Sequence, residues 1–262
     1  ASVLGRPDYR QAAVQAARFL LIALRRPEMG TTGGRLLRTY KDGKAKLLGY
    51  LEDYGALAEG LILLHEATGE LFWLEEAQRL AEGMLDLFWH EQSETFYDTG
   101  RDHKALVARP RNIFDSATPL GTSLAVNVLL RLAVLLGEER YVQPAVRTLE
   151  KLSVPMRDYA GAFGYLLCGL DFHLARRREV VIVGDPEDAA TRALRDVAAH
   201  RYAPHDVLLI ANPTQDDKAF GRWPLLAGRT LVDGRPAAYV CENYACQLPV
   251  TEPEALAARL AG

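Results

Sequence analysis

A glycine, an aromatic residue four positions on and an alanine four further recur three times in this chain of 262 residues: Gly5/Tyr9/Ala13, Gly69/Trp73/Ala77 and Gly137/Tyr141/Ala145. The copies lie about 64 and 68 residues apart, roughly a helical hairpin plus a loop. Glu70 and Glu138 follow the second and third glycines. Glycine tolerates the positive φ at which one helix ends and the next begins. Four-residue steps then put the aromatic and the alanine on one face of the following helix. The repeat therefore predicts stacked helical hairpins.

The periodicity between the glycines agrees. Helices are predicted over 7–25, 49–68, 71–89, 118–136, 139–152 and 156–175, with Pro144 bending the fifth or marking a late start. The second, fourth and sixth are apolar on most sides, whereas 71–89 carries a polar face of Glu75, Glu76, Gln78, Arg79, Glu82 and Asp86. Buried helix, tight turn, amphipathic helix and long loop follow in order, the pattern of an α/α toroid. Short hairpin or strand segments are expected across Lys41-Asp42-Gly43 and at 96–100 and 106–110. After Arg176-Arg177-Arg178 the texture changes. A strand at 179–183, a helix to His200, a strand at 206–211, a third at 237–241 and a helix at 253–260 make a small α/β module with a parallel β-α-β unit. The division is thus 1–175, toroid hairpins, and 176–262, the α/β module.

Composition narrows the function. A net charge of −3 gives no general attraction to nucleic acid or anionic membrane, and no apolar run reaches the length of a membrane span. The chain does not begin with Met and carries no signal-peptide pattern, so a piece of something longer is expected. Three cysteines make no disulfide framework, which points to a reducing compartment and a cytoplasmic protein. No histidine pair has metal-ligand spacing, and no nucleotide-binding glycine motif occurs; neither metal nor cofactor is expected.

Two segments stand at the start of helices at the long-loop end, where function collects. They are Gly49-Tyr50-Leu51-Glu52-Asp53-Tyr54 and the stretch 109–123. Asp53 and Asp115 are the candidate catalytic pair, since two carboxylates at a cavity mouth serve glycoside hydrolysis or sugar epimerisation as acid and base. Glu52, Tyr54, Tyr97, Arg109, Ser116 and Ser123 are the candidate ligand-binding residues. Helix capping competes for Glu52, Asp53, Asp115 and Ser116, and a salt bridge to Asp115 competes for Arg109. Cys241 and Cys246 on one straight strand would stand about 16 Å apart, buried and reduced. A turn at Asn243 would bring them together, with a redox or metal role. Cys168 reads as core.

In GYLEDY (49–54), FYDTG (96–100), RPRNIFDSATPLGTS (109–123) and YVCENYACQLPV (239–250) the chain resembles the thioredoxin-domain-containing, spermatogenesis-associated protein family, and the resemblance runs along essentially its whole length. It implies a thioredoxin-like domain followed by a six-hairpin, glycosidase-like toroid related to sugar 2-epimerases, of which this chain would be the last part, with 1–175 the second half of the ring. Such an open half-ring would expose apolar helix flanks, so the resemblance implies that the piece forms a homo-oligomer, needs its missing half, or repacks its helices. A sugar is then the implied small-molecule partner, and the thioredoxin-like domain of the same protein the implied macromolecular one. The family pattern Ser-Gly-Asn-Ser is replaced by Leu120-Gly121-Thr122-Ser123, which weakens a polar role at Leu120 and Thr122. Two functions follow as expectations: a carbohydrate-active module with acid/base chemistry, or a non-catalytic scaffold serving the thioredoxin-like domain.

Overall fold

A computed structural model describes residues 4–27, 34–104, 108–242 and 245–261. It is mainly helical, with a small α/β part. The chain runs α1 (Pro7–Ala23), β1 (Arg25–Arg26), β2 (Arg35–Lys41), β3 (Lys44–Leu48), α2 (Leu51–Thr68), α3 (Leu71–Leu87), β4 (Trp89–His90) and β5 (Thr95–Phe96). It continues through α4 (Gly121–Leu136), α5 (Val142–Lys151), α6 (Ser153–Asp158), α7 (Gly164–Leu174), β6 (Glu179–Val183), α8 (Ala189–Ala199), β7 (Val207–Ala211), α9 (Asp217–Phe220), β8 (Ala237–Glu242), β9 (Ala245–Cys246) and α10 (Pro253–Ala261).

Both predicted glycine turns are present. Gly69 and Gly137 end α2 and α4 with φ of 79° and 67°, a region costly for any residue with a Cβ. The aromatic and alanine of these two copies, Trp73/Ala77 and Tyr141/Ala145, are fully buried. The first copy differs. Tyr9 is half exposed and Ala13 faces outward, because α1 has fewer neighbours than the later helices. Helices α1, α2, α4 and α7 are successive neighbours in one row, and α3 and α5 pack against it as a second layer.

Close approach within the row depends on small residues. A Cβ on Gly55 would stand 2.6 Å from the Leu124 Cβ, and one on Gly121 would stand 2.8 Å from the Glu52 nitrogen. These two glycines bring the N-terminal ends of α2 and α4 together.

Three local expectations change. The single helix predicted over 156–175 is two, α6 and α7, separated by a turn at Tyr159–Phe163. Pro144 lies in the first turn of α5, where its missing N–H costs nothing, so the helix starts late. Of the strands expected in the long connection, Thr95–Phe96 is the one formed among the described residues, paired with Trp89–His90; Leu106 and Val107 lie outside the described residues, as does most of the Gly30–Gly34 break.

In the α/β part the strand order is β7-β6-β8-β9, with β6 parallel to β7 and antiparallel to β8. Strand alternation divides the sheet between two cores. Val181, Val183, Val207, Leu209, Ala211, Ala237, Tyr239 and Cys241 join the large core of the helical row. Val180, Ile182, Leu208, Ile210, Ala238 and Val240 join a smaller one with Leu194 of α8 and Leu256 and Leu260 of α10. The main core therefore runs through the change of texture at residue 176.

The module also covers the tight-turn end of the hairpins. A Cβ on Gly69 would touch Pro186, and one on Gly137 would overlap Pro224 at 2.5 Å. His65, at the end of α2, is fully buried there. Its Nδ1 donates to the Glu70 carbonyl (3.1 Å) and its Nε2 accepts from the Ile210 amide (3.2 Å), joining α2 to β7.

Candidate functional site

At the long-loop end, a cavity of about 350 Å³ lies between the N-termini of α2 and α4. Tyr50, Leu51 and Glu52 line one side, Leu120 and Gly121 the other, and Asp98, Thr99, Pro110 and Asn112 come from the long connection. Asp98 holds this corner together. Its carbonyl accepts the Leu51 amide (3.0 Å) and its amide donates to the Pro110 carbonyl (3.0 Å). Its Oδ2 accepts from the Asn112 backbone amide (3.0 Å) and Nδ2 (2.9 Å). Burial raises the Asp98 carboxyl from its ordinary value, and the Glu52 charge adds to the shift against these hydrogen bonds. Glu52 and Asp98 thus form a carboxylate pair felt across the cleft. Tyr50 contributes a partly exposed ring with the Arg38 guanidinium 4.5 Å from its centroid.

Asp53 occupies a different place. Its Oδ2 accepts the Tyr50 amide (2.8 Å), closing the first turn of α2, and pairs with Arg38 Nη1 (2.8 Å). Arg38 also pairs with Glu52 at 2.7 Å. Burial raises the Asp53 carboxyl, partly offset by the Tyr50 amide and Arg38. Asp115 is committed to the backbone: Oδ1 accepts from Leu120 N (2.8 Å), and Oδ2 from Tyr165 N (2.9 Å) and Leu166 N (3.3 Å) at the start of α7. It joins the start of α4 to the start of α7 as a shared cap. Asp53 lines the opening between α1 and α2, whereas both Asp115 carboxylate oxygens are taken up by backbone amides.

The other candidates disperse. Tyr54 is fully buried; its hydroxyl accepts from the Leu36 amide (2.8 Å) and Arg35 Nη1 (2.9 Å), so it anchors the core. Tyr97 lies under the Arg109 guanidinium, 4.2 Å from the ring centroid, and Arg109 donates to the Thr99 and Leu87 carbonyls rather than pairing with Asp115. Ser116 is exposed and donates to the Thr118 carbonyl (3.4 Å). Ser123 is buried in the first turn of α4, and neither its hydroxyl nor that of Thr122 has a hydrogen-bond partner among the described residues. Sequence reasoning singled out Glu52 but missed Asp98. The available signal was a lone carboxylate inside FYDTG, beside a Thr-Gly pair in a connection too long for a simple turn.

A second opening, about 810 Å³, runs between α1 and α2, with Ala13, Ala16, Ala17 and Leu20 along one wall and Ala56, Leu57 and Leu61 along the other. Glu52, Asp53, Arg38 and Glu59 sit among its apolar lining.

The cysteines depart from the reduced, separated expectation. Cys241 and Cys246 are joined by a disulfide, with Cα atoms 3.9 Å apart rather than 16 Å. They fall directly opposite each other on antiparallel β8 and β9 instead of on one straight strand. Cys241 is buried and Cys246 exposed; Asn243, where a turn was expected, lies outside the described residues. Cys168, expected in the core, is an exposed free thiol. Among the described residues no cluster of His, Cys, Asp or Glu is arranged to hold a metal ion, and no helix is long and apolar enough to cross a membrane.

No family model matches the chain. Spermatogenesis-associated protein 20 of Homo sapiens is 30% identical over 261 residues, and that of Rattus norvegicus 31% over 264. Each match takes in 96% of this chain and 33% of the relative. An uncharacterized protein of Caenorhabditis elegans is 23% identical over 211 residues, 80% of this chain and 28% of its own length. Nearly the whole chain is therefore homologous to spermatogenesis-associated protein 20, and it spans about a third of the length of the relatives it matches.

Proposed function

We propose that the cleft between the N-termini of α2 and α4 binds a polyhydroxylated, sugar-like ligand, with Glu52 and Asp98 as its acid/base pair. The observation that carries this reading is the pair itself: two carboxylates lining one small cavity, the Asp98 carboxyl raised from its ordinary value by burial and by the charge of Glu52. Two carboxylates facing one cleft are what acid/base chemistry on a glycosidic or epimerisable centre uses. Asn112 and the Tyr50 ring supply the amide and aromatic surface that sugars favour. Asp53 and Asp115 support the site from outside, by orienting α2 and by capping α7.

A second reading is a scaffold for another domain, such as a thioredoxin-like one. Its support is the commitment of Asp115 to three backbone amides, together with the apolar groove between α1 and α2.

A thermal-shift series with monosaccharides and their phosphates separates the two. A ligand at ten times its Kd stabilises by about 1.4 kcal/mol, a rise of a few degrees for a chain of this size. The sugar reading expects that rise in wild type and its loss in Glu52→Gln and Asp98→Asn, with Asp53→Asn retaining it. Cooperative melts that no sugar moves would leave the scaffold reading.

A further inference from the structure

The Cys241–Cys246 disulfide has a cationic neighbour that a merely structural crosslink does not need. Arg229 is buried, and its Nη2 lies 2.7 Å from Cys246 Sγ and 3.3 Å from Cys241 Sγ. Its other terminal nitrogen donates to the carbonyls of Pro224 (3.3 Å) and Ala227 (3.1 Å), which fixes the fork and leaves Nη2 to the sulfurs. Burial lowers the basicity of Arg229, but a guanidinium stays charged in a protein. A neutral disulfide gains little from a buried cation; a thiolate gains a charge-assisted hydrogen bond. An opposing charge comes from Glu179, buried and paired with Cys241 in the β6–β8 register, and Tyr239, whose ring lies 5.9 Å from the guanidinium, also faces Arg229.

Access is asymmetric. Cys241 belongs to the core, whereas Cys246 is exposed on the wall of an open groove of about 770 Å³. Arg176, Arg259, Gln247 and the almost fully exposed Tyr202 line that groove.

We propose that Cys241 and Cys246 form a redox-active pair that exchanges with a protein dithiol, with Arg229 stabilising the leaving thiolate. A thiolate of the partner dithiol attacks Cys246 Sγ in line with the S–S bond. That bond breaks, and its electron pair leaves on Cys241 Sγ, held as a thiolate by Arg229 Nη2. The partner's second thiol, once deprotonated, attacks the partner sulfur of the mixed disulfide and releases Cys246 as a thiolate. Two electrons have then passed to this chain, the partner is a disulfide, and the two protons of its dithiol go to solvent or to the new thiols. The inference is independent of the sugar-binding cleft, which is built from other residues.

The test uses the full chain in a Cys168→Ser background with dithiothreitol as the dithiol. Native protein is expected to release two thiols. Thiolate absorbance of the reduced form should titrate below the ~8.5 of a free cysteine. Arg229→Met should raise that value and slow reduction about tenfold, the equivalent of one pKa unit, while Arg229→Lys recovers part of the rate. Two single-cysteine variants keep the test independent of Arg229's contribution to folding. Cys241→Ser, with Cys246 left, should react with an aromatic disulfide at least tenfold faster than Cys246→Ser, whose remaining thiol is buried. An oxidised chain with three free thiols before the serine change, a disulfide that dithiothreitol reaches only in denaturant, unchanged kinetics in both Arg229 variants, or equal rates for the two single cysteines would each overturn the proposal.

Discussion

His65 gives the most exacting prediction, because its two ring nitrogens are both used and both partners lie outside its own helix turn. Burial pushes the imidazole down to about 4 from an ordinary 6.5, against a smaller opposing effect of the Glu70 carbonyl. The neutral tautomer is the one the contacts require: Nδ1–H toward Glu70 and a bare Nε2 toward the Ile210 amide. Between pH 6.5 and 4 the unfolded chain holds a proton on this residue and the folded chain does not. Stability is then fully present above 6.5 and falls as pH drops toward 4, by about 2 kcal/mol between pH 7.5 and 5.0. Glu66 works in the opposite sense, since burial pushes its carboxyl up to about 7 and favours the acid side. It is half-buried on the wall of an open cavity lined also by Arg10 and Arg201, so water moderates its effect. Glu66 is present in both proteins compared below and cancels. The perturbation is His65→Gln, which removes the titration while keeping an acceptor for Ile210. Urea unfolding at pH 7.5 and 5.0 should show the stability gap between wild type and variant shrinking by about 2 kcal/mol at the lower pH. A gap of the same size at both pH values would refute the buried neutral staple between α2 and β7.

Three further predictions concern the elements that shape the cleft. Asp115→Ala removes the acceptor for three backbone amides at the starts of α4 and α7; an expected loss of about 2 kcal/mol or more is readable by urea unfolding. Gly55→Ala forces a Cβ into the space of Leu124 where α2 crosses α4, and should cost about 1–3 kcal/mol, lowering the melting temperature in calorimetry. Tyr54→Phe leaves the Leu36 amide and Arg35 without their common acceptor inside the core; about 1–3 kcal/mol should be lost, with faster amide exchange at Leu36.

The helical hairpins were legible because two sequence signals coincided at each turn. Gly69 and Gly137 supply the backbone freedom, and Trp73 and Tyr141 supply the buried anchors on the next helix. The first copy carried the same letters without the same packing, since a local pattern cannot say whether a neighbour covers Tyr9. The strands of the α/β part were legible from their β-branched runs, but their sheet order was not, because β8 pairs with β6 across more than fifty residues. The site was half visible. Glu52 announced itself at a helix start, whereas Asp98 acquires meaning only when the long connection folds over α2. Asp53 and Asp115 show the converse: a carboxylate at a helix start serves equally as a cap, and only the positions of the surrounding amides decide. Cys241 and Cys246 escaped the straight-strand estimate because the chain reverses between them.

The proposed acid/base pair requires Glu52 and Asp98 to share one cleft and one electrostatic field. Carboxyl carbon resonances of Asp98, followed by NMR from pH 3 to 8 in wild type and in Glu52→Gln, test that claim directly. Asp98 should titrate above an ordinary aspartate, and removing the Glu52 charge should bring it down while leaving it raised by burial. An Asp98 that titrates as an ordinary aspartate and ignores the change at Glu52 would contradict the account.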